Sequence, residues 1–225
     1  MFRYLFHSIY FNFHYLPFKQ AVRLPILVYK PKFSKLGGKV VIDSPVIKTG
    51  MIQLGIFTVS LFPNTGIVFE NHGGTVIFKG KCKIGNASAV SVGPRGNLTF
   101  GNDFVATASL KLASYWHISF GGNVLCGWDC LFADTDFHQL TSIGNKSQPK
   151  AYSEIHIGQG CWFALKTIVM KGTEIPDYCV VAANSLLNKS YMDVEPYSLL
   201  AGQPATVRKV GVYLDRSADV IDYKD

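Results

Sequence analysis

The chain has no run of eighteen or more uninterrupted apolar residues, so no segment reads as a transmembrane helix. The N-terminus also lacks the short apolar stretch and small-residue cleavage site of a secretory signal, and a cytoplasmic protein is expected. Cysteine offers little: Cys82, Cys126, Cys130, Cys161 and Cys179 form an odd set without a CxxC pair. That pattern points to neither a disulfide framework nor a zinc site, and no metal is expected. Acids are almost missing from residues 1–48, where Asp43 stands alone against Arg3, Lys19, Arg23, Lys30, Lys32, Lys35, Lys39 and Lys48. The whole net charge of +7 therefore resides there, and the rest of the chain is balanced.

What that basic segment does have is aromatic rings: Phe2, Tyr4, Phe6, Tyr10, Phe11, Phe13, Tyr15 and Phe18, with Pro17 and Pro25 ending any helix. A helix or arm packed on the main domain is the first reading, because aromatic-rich helices usually enter a core. Peripheral contact with the inner face of the cell membrane is the second, since rings suit the headgroup layer and lysines attract anionic lipid. No nucleic-acid-reading motif accompanies the charge. With 48% hydrophobic residues among 225, one sizeable core is expected.

The decisive pattern is a period of six. Counting from Ile157 gives Phe163, Val169, Ile175, Val181 and Leu187, all apolar; four residues after the first five lie Cys161, Thr167, Thr173, Cys179 and Ser185, all small. Neither a helix period near 3.6 nor a strand period of 2 produces this. A triangular coil does, if each unit is a short strand plus a corner and sends one large residue inwards. The rhythm recurs with slips at Phe78, Ile84 and Val90, and at Phe120, Cys126 and Phe132, while residues 90–118 give no clear register. Glycine follows the large residue at Gly85, Gly121, Gly127 and Gly158, where a corner is expected to need permissive backbone. The predicted layout is an N-terminal arm over 1–45, a repeat domain over 46–190 and a C-terminal cap over 191–225.

Two stretches resemble the hexapeptide-repeat acyltransferases, in particular the bacterial sugar and capsular polysaccharide O-acetyltransferases. One is Val124 to His138, ending in Asp134-Thr-Asp136-Phe-His138 before a loop over 139–154. The other runs from Ile155-His-Ile-Gly through Cys161-Trp-Phe and Ala183-Asn-Ser to Ala201-Gly-Gln-Pro-Ala205. It departs from the family at Trp162-Phe163-Ala164 and at Asn184 to Leu187, which still keep the interior apolar and the corner small. The resemblance implies an all-β, left-handed parallel β-helix that uses acetyl-CoA as co-substrate. It also implies a homotrimer with sites between subunits and a sugar or lipid-linked glycan as acceptor. O-acetylation is the leading reaction, with amino-sugar N-acetylation or a non-catalytic scaffold as alternatives.

Transfer from a thioester to a hydroxyl needs a base and oxyanion donors. His138 is the candidate base. Asp136, on the same face of an extended segment, and Asp134 are candidates to orient it, though either residue can instead shape the turn. The resemblance implies that Trp162 lines the acceptor site. It also implies coenzyme A contacts at Ala183, Asn184 and Ser185, with Lys189, Arg208 and Lys209 for its phosphates. The cysteines occupy inward repeat positions, so direct attack without an acyl-enzyme is expected. The ending Asp222 to Asp225 resembles the start of a common epitope tag, and no function follows from it.

Overall fold

The structure, a computed structural model, describes residues 5–144 and 146–219. Phe2, Arg3 and Tyr4 of the basic arm and the tag-like ending lie outside the described residues. Helices α1 (Leu5–Tyr15) and α2 (Phe18–Ala21) come first, separated at Pro17. The chain then winds through β1 (Ile26–Val28), β2 (Pro31–Leu36) and β3 (Lys39–Ile42), and next through β4 (Ile52–Ile56), β5 (Ile67–Asn71) and β6 (Thr75–Phe78). Two further coils hold β7 (Cys82–Gly85), β8 (Ser88–Val92), β9 (Asn97–Phe100), β10 (Phe104–Ala108), β11 (Lys111–Ser114) and β12 (His117–Phe120). After them come β13 (Leu125–Trp128), β14 (Leu131–Ala133), β15 (Ile155–Ile157), β16 (Trp162–Phe163), β17 (Ile168–Met170) and β18 (Glu174–Ile175). The winding closes with β19 (Val180–Val181), β20 (Leu186–Leu187), β21 (Ser198–Gly202) and β22 (Ala205–Val210).

The first strand of every coil joins one parallel sheet, the second another and the third a third; these are faces A, B and C of a triangular prism. Each counted apolar residue from Ile157 to Leu187 points inwards, and the five small residues four places on are buried at the corners. On face C the inward Phe78, Phe100 and Phe120 stack with ring centroids 5.3 and 5.7 Å apart. Such pairs contribute about 0.5–1.5 kcal/mol each beyond the area they bury.

In the middle coils the slips in the repeat have a single address. Phe78, Ile84 and Val90, then Phe100, Ala106 and Leu112, then Phe120, Cys126 and Phe132 keep strict spacing of six across the C-to-A and A-to-B corners, in register with one another. The B-to-C corner absorbs the rest: Val90 to Phe100 is ten residues, Leu112 to Phe120 eight, and Phe132 to Ile157 twenty-five. The A-to-B corner, by contrast, repeats one backbone device, a left-handed residue at Ala87, Ser109, Asp129, Lys166 and Asn184.

Three expectations change. The β-helix begins at Ile26, not near residue 46; long connections before β4 and β5 hide the six-residue rhythm in the first coils. The glycines at 85, 121, 127 and 158 do not have positive φ. Their role is close approach: a Cβ at Gly158 would lie 2.6 Å from the Asp177 amide nitrogen, and one at Gly121 2.5 Å from that of Gln159. The C-terminal segment over 191–225 is more than a cap, since β21 extends face A in parallel and β22 returns antiparallel on it.

The arm is packed, as first read. Phe11 is fully buried, and α1 closes the open edge of face A with side chains. Asn12 accepts the Ile26 amide and donates to its carbonyl, while Ser8 Oγ accepts the Val28 amide at 3.0 Å. An edge strand so covered cannot pair with another chain. The outer side of α1 and α2 exposes Phe6, Tyr10, Phe13 and Phe18. No helix among the described residues is long and apolar enough to cross a membrane.

Candidate active site

The extra length at the B-to-C corner after β14 forms a loop with a paired neck. The Asp136 amide donates to the Ala151 carbonyl at 2.8 Å, the Ser153 amide to the Asp134 carbonyl at 3.0 Å, and Thr135 bridges Tyr152. Gln139 Nε2 reaches across to the Pro149 carbonyl at 2.7 Å. His138 sits between these ties, exposed, and among the described residues no hydrogen bond holds its ring.

The carboxylates expected to orient His138 are engaged elsewhere. Asp134 is fully buried and accepts the Tyr115 amide at 2.8 Å and the Trp116 amide at 2.9 Å, which fixes the corner one coil below. Burial still holds its carboxyl above the usual range. Asp136 pairs with Lys171 at 2.6 Å, and the same ammonium donates to the Lys150 carbonyl, so this pair fastens the two ends of the loop. Asp134 is thus a turn-former and Asp136 a loop clasp; neither contacts the imidazole in this arrangement.

The corner also assembles an aromatic wall that no sequence motif marked. The Trp116 and Tyr152 rings are 4.7 Å apart, and Lys150 Nζ lies 5.0 Å from the Tyr152 centroid and 5.7 Å from that of Trp116. Phe137 meets Tyr115 edge-on at 4.9 Å and lines a shallow groove of about 270 Å³ over face B. The Trp116 and Tyr152 rings are tilted by 45° to one another, and the ammonium lies over both.

The remaining predicted residues fall on other edges. Trp162 is half-buried on the outer side of face A, between Leu125 and Val180. Ala183, Asn184 and Ser185 form an A-to-B corner; Ser185 Oγ accepts the Gly202 amide, and the Asn184 carbonyl accepts from Gln203 Nε2. Lys166 occupies the equivalent corner one coil earlier, a cation visible in the sequence by its eighteen-residue offset from Asn184. Lys189 sits beyond β20 against the Tyr191 ring, apart from that corner, and Arg208 and Lys209 are exposed on β22. One chain therefore does not bring His138 to the proposed coenzyme A corner.

All five cysteines are buried and free. Burial pushes the Cys130 thiol up to about 12 and those of Cys82, Cys126, Cys161 and Cys179 upwards as well, which favours the thiol over the thiolate.

The structure of the polysialic-acid-specific acetyltransferase NeuO superposes with a TM-score of 0.54 at 18% identity, over 84% of this chain and 74% of that one. The fold is that of the hexapeptide-repeat acetyltransferases. Like other members of that fold, the chain is a left-handed parallel β-helix. A probable acetyltransferase of Mycobacterium tuberculosis is 31% identical over 116 residues, 51% of this chain but 37% of that protein. The hexapeptide-repeat chain thus spans little more than a third of that relative's length. An uncharacterized 24.8 kDa protein in the cps region of Klebsiella pneumoniae is 29% identical over 162 residues, 72% of this chain and 70% of that protein. No family model matches the chain.

Proposed function

We propose that the protein is an acetyl-CoA-dependent O-acetyltransferase acting on a sugar or glycan precursor. The observation that carries this reading is His138, exposed at the B-to-C corner where the middle coils depart from the six-residue repeat, with no hydrogen bond to its ring among the described residues. In the proposed reaction the imidazole accepts the acceptor hydroxyl proton as the oxygen attacks the thioester carbonyl. Collapse of the tetrahedral intermediate forms the ester, expels the coenzyme A thiolate, and returns the proton from the imidazolium to that sulfur. A positioned base of this kind contributes about 10²–10⁴-fold in rate.

The acetyl donor is proposed to lie along the A-to-B corner at Ala183, Asn184 and Ser185, with Lys166, Arg208 and Lys209 available to its phosphates. Because that corner and His138 are on different edges of the prism, the working site is proposed to join two subunits of a homotrimer, with Trp162 on the shared wall. The fully exposed Ile143 at the loop tip and its neighbour Leu140 support a protein surface over this loop.

The test incubates the protein with acetyl-CoA and a panel of sugar and lipid-linked glycan acceptors and identifies the product by mass. An acetyl group removed by mild alkali is an ester, the expected result; an alkali-stable amide would favour the N-acetyl alternative, and no transfer to any acceptor would contradict the reading. Sedimentation should give three times the 24.9 kDa chain mass, and a monomer would overturn the shared site.

A further inference from the structure

Parallel stacking on face C brings Glu174, eighteen residues on in the chain, against the neighbouring pair Glu154 and His156. His156 on β15 lies in register with Glu174 on β18, and Glu154 is the last residue of the loop before β15. One atom from each of Glu154, His156 and Glu174 lies within 4.8 Å of the others. The imidazole is already oriented: Ser119 Oγ meets His156 Nδ1 at 2.6 Å, which turns Nε2 towards Glu154 Oε2 at 3.2 Å. Ser190 Oγ donates to Glu174 Oε2 at 2.6 Å. Hydroxyls that hold an imidazole and a carboxylate from behind are the outer partners a metal site requires. His117 stands alongside, its ring 5.3 Å from that of His156.

The charge balance is the second argument. Two carboxylates converge on one imidazole, and among the described residues no lysine or arginine pairs with either of them. With His156 neutral, as a metal ligand must be, the cluster carries two negative charges, which a divalent cation would neutralise. Ser119 and His156 also line an open groove of about 830 Å³ along face C, which gives an ion a way in.

We propose that Glu154, His156 and Glu174 bind a divalent transition-metal ion of the zinc class. An imidazole with two carboxylates suits zinc, cobalt or manganese better than magnesium or calcium. The ion would tie the returning end of the 139–154 loop to two successive coils, so it acts on the fold and the loop and is independent of the acetyl-transfer reading.

The experiment treats the full-length protein with a chelator, removes the chelator, and titrates with ZnCl₂ and, separately, CoCl₂, following calorimetry and the visible absorption of bound cobalt. One ion per chain is expected. The variants Glu174→Gln and Glu154→Gln should each weaken binding by at least ~10-fold, the lower end of what loss of even an outer partner costs. Because Glu154 is exposed, its variant leaves the core untouched and keeps the test open if Glu174→Gln folds poorly. Absence of binding to wild type, or equal binding by wild type and both variants, would overturn the proposal and leave His156 and Glu154 as an ordinary ion pair.

Discussion

At the scale of single residues, the candidate site turns on a distinction the sequence could not make, between the aspartate that builds the corner and the histidine that the corner presents. Asp134 and Asp136 share a motif with His138, and alternation puts them on one side of an extended segment. Yet Asp134 spends both oxygens on the Tyr115 and Trp116 amides, which among the described residues have no other acceptor. Replacing it with alanine strands them, and Asp134→Ala is expected to lose about 3 kcal/mol in urea denaturation, on the scale of hydrogen bonds to a charged group. A loss below ~1 kcal/mol would show that the carboxylate is not holding the turn. The buried cysteines were readable, because a small residue at an inward repeat position has one place to go. The Trp116–Tyr152–Lys150 wall was not, because Trp116 is far from the other two in sequence and meets them only through coil stacking and a loop of irregular length.

At the scale of elements, the coils separate a part that tolerates change from a part that does not. Where corners keep six-residue spacing, as from Ile157 to Leu187, the sequence announces each inward residue. Around residues 90–118 it does not, because the B-to-C corner inserts four residues in one coil and two in the next. The first coils are hidden by insertions at the other two corners, before β4 and β5. This asymmetry predicts opposite outcomes for two length changes. One residue inserted between Lys166 and Thr167 puts every later side chain out of register with the coil below and should abolish cooperative thermal unfolding. Deleting residues 140–148 leaves the neck at 134–136 and 151–153 intact and should shift Tm by no more than about 4 °C, equal to ~1 kcal/mol for a chain of this size. Equal damage from both would contradict the assignment of corners.

At the scale of the whole molecule, one end of the prism is basic and aromatic and one corner carries the proposed base, and the proposal gives each a partner. The outward Phe6, Phe13 and Phe18, with Lys19 and Arg23 close by in the chain, are proposed to meet an anionic lipid surface, where a glycan acceptor carried on lipid would be found. Truncating the arm is a poor test, since Phe11, Ser8 and Asn12 seal face A. Changing Phe6, Phe13 and Phe18 to serine spares that seal and should abolish co-sedimentation with phosphatidylserine vesicles, which wild type should lose only as salt rises. Wild type that ignores such vesicles at low salt would end the membrane reading without touching the catalytic one. The catalytic reading meets its most direct test in thiol release from acetyl-CoA with the best acceptor, wild type against His138→Ala, with acetyl-CoA affinity measured in parallel. The account predicts a fall of at least ~100-fold in kcat with donor binding unchanged, and transfer that survives the substitution would contradict it.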